Sequence, residues 1–202
     1  MSDLIAGRYP AASEEWMLDG QPYPPYRQSI SRRDILSTGV TPTVATVCVY
    51  PMVFQAGDII GAISIGVKTA SATPTHGWAA LYTGLTTAST LIIQSADNTS
   101  GFTPTGGAQK FTFATPYLVG GTPGSTGTTG PVVLGVALYN SATTGGALDG
   151  MTGSSVAGAV VLTGQLPFFF SVALSATATA PANLAGAAAA VGGVPYIVAS
   201  RS

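Results

Sequence analysis

The chain has 202 residues, and only seven basic and eight acidic side chains among them, about 7% charged where roughly 25% is usual. A formal net charge of −1 gives no field to draw it onto phosphates, so nucleic acid is not an expected partner. A content of 46% apolar residues separates it from disordered polyelectrolytes.

The charges are unevenly placed. Residues 1–34 hold Asp3, Arg8, Glu14, Glu15, Asp19, Arg27, Arg32, Arg33 and Asp34, and the rest of the chain holds only Asp58, Lys68, Asp97, Lys110, Asp149 and Arg201. The composition changes near Ser37-Thr38-Gly39-Val40-Thr41-Pro42. We therefore divide the chain into an extended N-terminal arm, 1–40, and a β-sandwich domain, 41–202. In the arm, Ser13 before Glu14-Glu15-Trp16-Met17-Leu18, with Gly20 beyond, predicts a helix of two turns at most. Pro22, Pro24 and Pro25 around Tyr23 and Tyr26 predict polyproline II, and Ser31–Leu36 reads as a second short helical turn. Such elements are marginal alone, so the arm is expected to order against another surface. Its start lacks a basic stretch followed by an apolar run, so no secretory signal is expected.

Beyond residue 41 the pattern is that of strands. Thr43–Phe54 is rich in Val, Thr and aromatics, with Pro51 marking an edge or bend. After the turn Ala56-Gly57-Asp58, the residues Ile59, Ile63, Ile65 and Val67 are expected on one face. Trp78, Ala80 and Tyr82 alternate with Ala79 and Leu81. Further strands are predicted at 90–95, 109–114, 131–140, 155–162, 166–175 and 195–200, and a turn or two of helix at the Ala-rich 182–190. The low-complexity stretch 120–130 reads as a surface loop. The whole describes an all-β, jelly-roll-like sandwich. Two apolar stretches, 158–174 and 181–199, are broken by Gly and Pro and predict no membrane span.

Catalytic chemistry finds little to work with. A Ser/His/Asp site would have to use His76, the one histidine, with Asp58, Asp97 or Asp149, and no G-x-S-x-G elbow is present. His76 reads more simply as a turn residue entering a strand. One Cys and one His leave zinc without ligands, and Cys48 between Val47 and Val49 reads as a small buried apolar residue. Asp58 and Asp97 are weighed as calcium ligands against turn caps, and the caps are preferred. Trp78 and Tyr82 are weighed as a sugar platform against core, and the core is preferred. Asn98-Thr99-Ser100 is a sequon that reads as a turn. No catalytic residue, metal or cofactor is predicted, and the chain is not expected to be an enzyme.

Several segments nevertheless form a pattern: Gln55-Ala56-Gly57-Asp58-Ile59-Ile60, Ala72-Thr73-Pro74-Thr75-His76-Gly77-Trp78-Ala79-Ala80-Leu81-Tyr82, Leu91-Ile92-Ile93-Gln94-Ser95-Ala96-Asp97, Thr115-Pro116-Tyr117, Leu134-Gly135-Val136-Ala137-Leu138-Tyr139 and Pro195-Tyr196. In this order they resemble the β-sandwich module of minor tail and accessory virion proteins of tailed phages infecting actinobacteria. The resemblance implies a structural or host-contacting role in a virion, after synthesis in the host cytoplasm, and carries over no catalytic residue. It suggests a minor tail, accessory or fibre-like component held by its arm to other virion proteins, with Trp16, Tyr23 and Tyr26 as anchors and Arg32 and Arg33 as polar contacts. A homo-oligomer is expected, a trimer first. The alternatives are a capsid decoration protein and a carbohydrate- or host-surface-binding module, the latter acting through loops near His76, Asp97 and 120–130.

Overall fold

A computed structural model describes residues 26–29, 35–103, 106–120, 131–151, 169–190 and 193–201. Every regular element among them is a strand: β1 (Tyr26–Gln28), β2 (Leu36–Val40), β3 (Thr46–Gln55), β4 (Ile59–Val67), β5 (His76–Tyr82), β6 (Leu91–Gln94), β7 (Gly107–Leu118), β8 (Pro131–Ser141), β9 (Leu148–Met151), β10 (Phe169–Ala173), β11 (Ala188–Ala190), β12 (Val194–Pro195) and β13 (Ile197–Ser200). They form two antiparallel sheets packed as a β-sandwich. One has seven strands, in the order β1-β13-β4-β9-β12, with β2 also on β9 and β7 also on β4. The other has six, in the order β11-β10-β3-β8-β5-β6. The chain changes sheet after β2, β3, β4, β6, β7, β8, β9 and β11, the habit of jelly-roll connections.

Period-two alternation builds the layer between the sheets. From the six-stranded sheet, Cys48, Tyr50, Met52, Phe54, Ala79, Leu81, Leu134, Val136 and Leu138 point into it. Ile60, Ile63, Ile65, Val67, Phe111, Phe113 and Ile197 meet them from the other sheet. Each large side chain buried here contributes about 1.5–3 kcal/mol by leaving water. The expected inner row of β4 needs one correction, because Ile60, not Ile59, is buried at that end. The β4–β7 register shifts between Ile60 and Ala62, and the irregularity around Gly61 changes which face the next side chain takes. On β7 the same irregularity spans residues 113–116, so Pro116 falls where the strand has left β4 and no ladder donor is lost.

The six-stranded sheet is covered on its outer face as well. Val47, Val49, Trp78, Ala80, Tyr82, Ala137 and Tyr139 pack there against Ala180, Leu184 and Ala187, with Phe170, Val172 and Leu174 at the margin. The segment 174–187 thus runs over the sheet as a strap. Polar tips of the sheet's own side chains hold its backbone: Trp78 Nε1 donates to Thr177 O (3.1 Å), Tyr139 Oη to Ser175 O (3.1 Å) and Tyr82 Oη to Pro181 O (2.8 Å). Gln94 both donates to Ala178 O and accepts from Ala180 N, each at 2.6 Å. Trp78 and Tyr82 are completely buried and serve as core. The Ala-rich stretch is not helical, since its end, Ala188–Ala190, pairs with β10.

The N-terminal division also changes. Tyr26–Gln28 pairs with β13 and Leu36–Val40 with β9, so these parts of residues 1–40 belong to the seven-stranded sheet and not to a separate arm. Leu36 is strand where a helical turn was expected. Two short strands that borrow their partners from the far end of the chain leave no alternation to read. The predicted helix near Glu14, the prolines, the strand at 155–162 and most of the 120–130 loop lie outside the described residues. Among the described residues no helix is long and apolar enough to cross a membrane.

Candidate functional site

Three aspartates stand among the described residues, and their surroundings differ. Asp97, in the loop after β6, joins His76 Nδ1 through Oδ2 at 2.7 Å and accepts the Gly77 N–H through Oδ1 at 2.8 Å. The backbone repeats the link, with Asn98 N donating to Gly77 O at 2.6 Å. Asn98 Oδ1 then accepts from Ser100 N and Oγ, making the sequon a hydrogen-bonded turn. His76 faces Ser141 across the β5–β8 ladder, but the Ser141 hydroxyl bonds to Thr75 Oγ1 at 2.9 Å. Among the described residues no hydroxyl is hydrogen-bonded to His76. The pair therefore clips the start of β5 to a loop, and the nucleophile of a triad is not part of it.

Asp58 is occupied in the same sense. Its carboxylate takes Arg27 Nε at 2.7 Å and Arg27 Nη2 at 2.8 Å, a bidentate pair, and Oδ2 also accepts the Gln55 N–H at 2.8 Å. The turn between β3 and β4 is capped by its own aspartate and tied to β1 by the same group. Among the described residues no three His, Cys, Asp or Glu side chains gather as a metal set.

Asp149 is the exception. It sits in β9 beside β4, and its carboxylate lies over Gly66, where a Cβ would run into Oδ2. Among the described residues no hydrogen bond or ion pair engages that carboxylate. It opens into a groove of about 360 Å3 on the outer face of the seven-stranded sheet, lined also by Ile35, Ser64, Ala108, Tyr196 and Val198. Tyr196 is fixed at both ends, its N–H on Asp149 O (2.7 Å) and its hydroxyl on Gln28 Oε1 (3.0 Å). This groove was not legible as a site from the sequence. Its single hint was that Asp149 is one of six charges in the body.

Of the residues expected to bind partners, Tyr26 stands in β1 with its backbone paired to Ser200. Trp16, Tyr23, Arg32 and Arg33 lie outside the described residues. His76 and Asp97 are brought together, with side chains 30% and 25% exposed. Cys48 is buried, and desolvation pushes its thiol pKa up, away from reactivity. Asn140 is a buried polar group within the fold, donating to Ser71 Oγ at 2.7 Å while its Oδ1 has no partner among the described residues. No family model and no curated protein matches the chain, so a functional reading rests on these residues and their geometry.

Proposed function

We propose that this chain is a structural protein of a phage virion, a minor tail or accessory component that assembles through its N-terminal residues and displays the sandwich. The observation that carries the reading is the scarcity of charge. From residue 41 to residue 200 the only charged side chains are Asp58, Lys68, Asp97, Lys110 and Asp149, and two of these are spent on internal contacts. A freely diffusing domain with so few charges tends to associate. A subunit set among neighbours needs few, because interface cores are depleted in charge. The segments that carry the phage resemblance support the reading by falling on one sandwich: the β3–β4 turn, β5, β6, β7, β8 and β12.

Because Tyr26–Gln28 is a strand of the body, the informative truncation removes residues 2–25 and leaves β1. The truncated protein is expected to keep its cooperative unfolding and to be lost from assembled particles. Incorporation at the level of the full chain would overturn the role given to the N-terminal residues.

A further inference from the structure

Asp58 and Asp97 have protein partners, and among the described residues the Asp149 carboxylate has none. No ion pair joins it to Lys68, two residues beyond Gly66 on the same stretch of chain, or to Lys110 on β7. An ionised carboxylate offers about four acceptor positions, and here it faces a groove whose other walls are mainly the aliphatic Ile35, Val198 and Ala108. We propose that this groove is a socket for an arginine side chain presented by another protein chain. The guanidinium would seat on Asp149, and the methylene stem would lie along Ile35, Val198 and Ala108.

Three features select this ligand. A carboxylate half withdrawn from water is best compensated by a cation, whereas a neutral sugar would displace water without supplying charge. The planar guanidinium grips a carboxylate with two parallel hydrogen bonds, as Arg27 grips Asp58 within this chain, and its stem covers apolar surface. Tyr196, fixed by its two hydrogen bonds, adds an aromatic neighbour suited to a delocalised cation. A bare metal ion is poorly served by one carboxylate among apolar walls. The inference gives the assembling subunit a partner chemistry, and it rests on that reading only for the source of the arginine.

The test is a titration of the full 15N-labelled chain with acetyl-Gly-Arg-Gly-amide and with its neutral isostere acetyl-Gly-citrulline-Gly-amide, followed by backbone amide NMR. Saturable shifts are expected at the amides of Gly66, Asp149 and Tyr196 with the arginine peptide. Binding of the citrulline peptide should be at least about tenfold weaker, because its ureido group keeps N–H donors but lacks the positive charge that makes the bonds to a carboxylate strong. Asp149→Asn should abolish the shifts. Ala108→Leu, at an exposed wall position, should do the same by filling the groove while the carboxylate stays. The absence of saturable shifts up to ~50 mM peptide, far weaker than a millimolar site, overturns the socket. Equal binding of the citrulline peptide does so too, as does a response that survives Asp149→Asn. If these shifts fail while incorporation still depends on residues 2–25, the socket is lost and the assembly reading stands. The reverse pair of results separates them the other way.

Discussion

The indole of Trp78 lies nearly parallel to the ring of Tyr139, with centroids 4.8 Å apart and 16° between planes. Both rings donate from their polar ends to one short run of backbone, at Ser175 and Thr177. The stack supplies apolar contact and hydrogen-bond donors to the same strap, so a strap poor in large side chains is still held.

Tyr139→Phe and Tyr82→Phe each remove one of these donors and leave a strap carbonyl short of a partner. Each is expected to cost about 1 kcal/mol. Trp78→Ala, which also empties a large buried volume, should cost about 3–5 kcal/mol. Denaturant unfolding measures all three, and wild-type stability in both Phe variants would show that the strap does not depend on these bonds.

The Arg27–Asp58 pair predicts a local effect. Both side chains are about a fifth exposed, 20% and 21%, so the pair is partly screened. Arg27→Ala should cost roughly 1 kcal/mol and loosen β1, and Arg27→Lys should recover only part of this because Lys lacks the fork. Hydrogen exchange reads it directly. The Ser29 amide, which donates to Ile197 O, should exchange faster in both variants, and more so in the Ala variant.

Gly135 shows where a methyl group cannot be added. A Cβ there would lie 2.5 Å from Gly84 O and 2.7 Å from Val49 Cγ1, and the carbonyl is backbone that moves only at a cost. Gly135→Ala is expected to lose about 1–3 kcal/mol. Gly107→Ala, with nothing within 4 Å of the added atom, should stay within about 0.5 kcal/mol of wild type. Equal effects at the two positions in thermal unfolding would contradict the packing described here.

Alkaline stability follows from two buried phenols. Desolvation raises the pKa of Tyr50 well above its ordinary value and also raises that of Tyr82. A group whose folded pKa lies above its unfolded one favours the native state fully below the unfolded value, and the contribution is lost as pH rises toward the folded value. Stability should therefore decline from about pH 10 upward. In an ultraviolet titration these two tyrosines should ionise together with unfolding, and Cys48 should become accessible to thiol reagents in the same step.

The alternation Ile63, Ile65, Val67 made β4 legible because one face of that strand meets the core, and the doubly apolar run Trp78–Tyr82 made β5 legible because each of its faces meets a core of its own. The shift at Gly61 was not legible, since it depends on how β7 leaves β4 and not on local composition. Tyr26-Arg27-Gln28 could not be read as a strand either, because its partner, β13, is the last strand of the described chain. His76 and Asp97 were singled out individually, and Asp58 was read correctly as a turn cap without its partner Arg27. The Asp149 groove is formed by meetings of Gly66 with Asp149 and of Asp149 with Tyr196, which no single segment of sequence displays.

The strap also sets an order of events during synthesis. Trp78, Tyr82 and Tyr139 leave the ribosome long before residues 174–187, which cover their outer side, and β13, which lies between β1 and β4, comes later still. Until then the nascent chain carries a wet aromatic sheet and an incomplete partner layer. A product terminated before residue 174 would retain the hairpins and present that aromatic surface to water, as a substrate for chaperones or a seed for aggregation. Residues 174–187 thus complete the cover over those rings, so the step that lays them down is also the step that removes the aromatic surface from water.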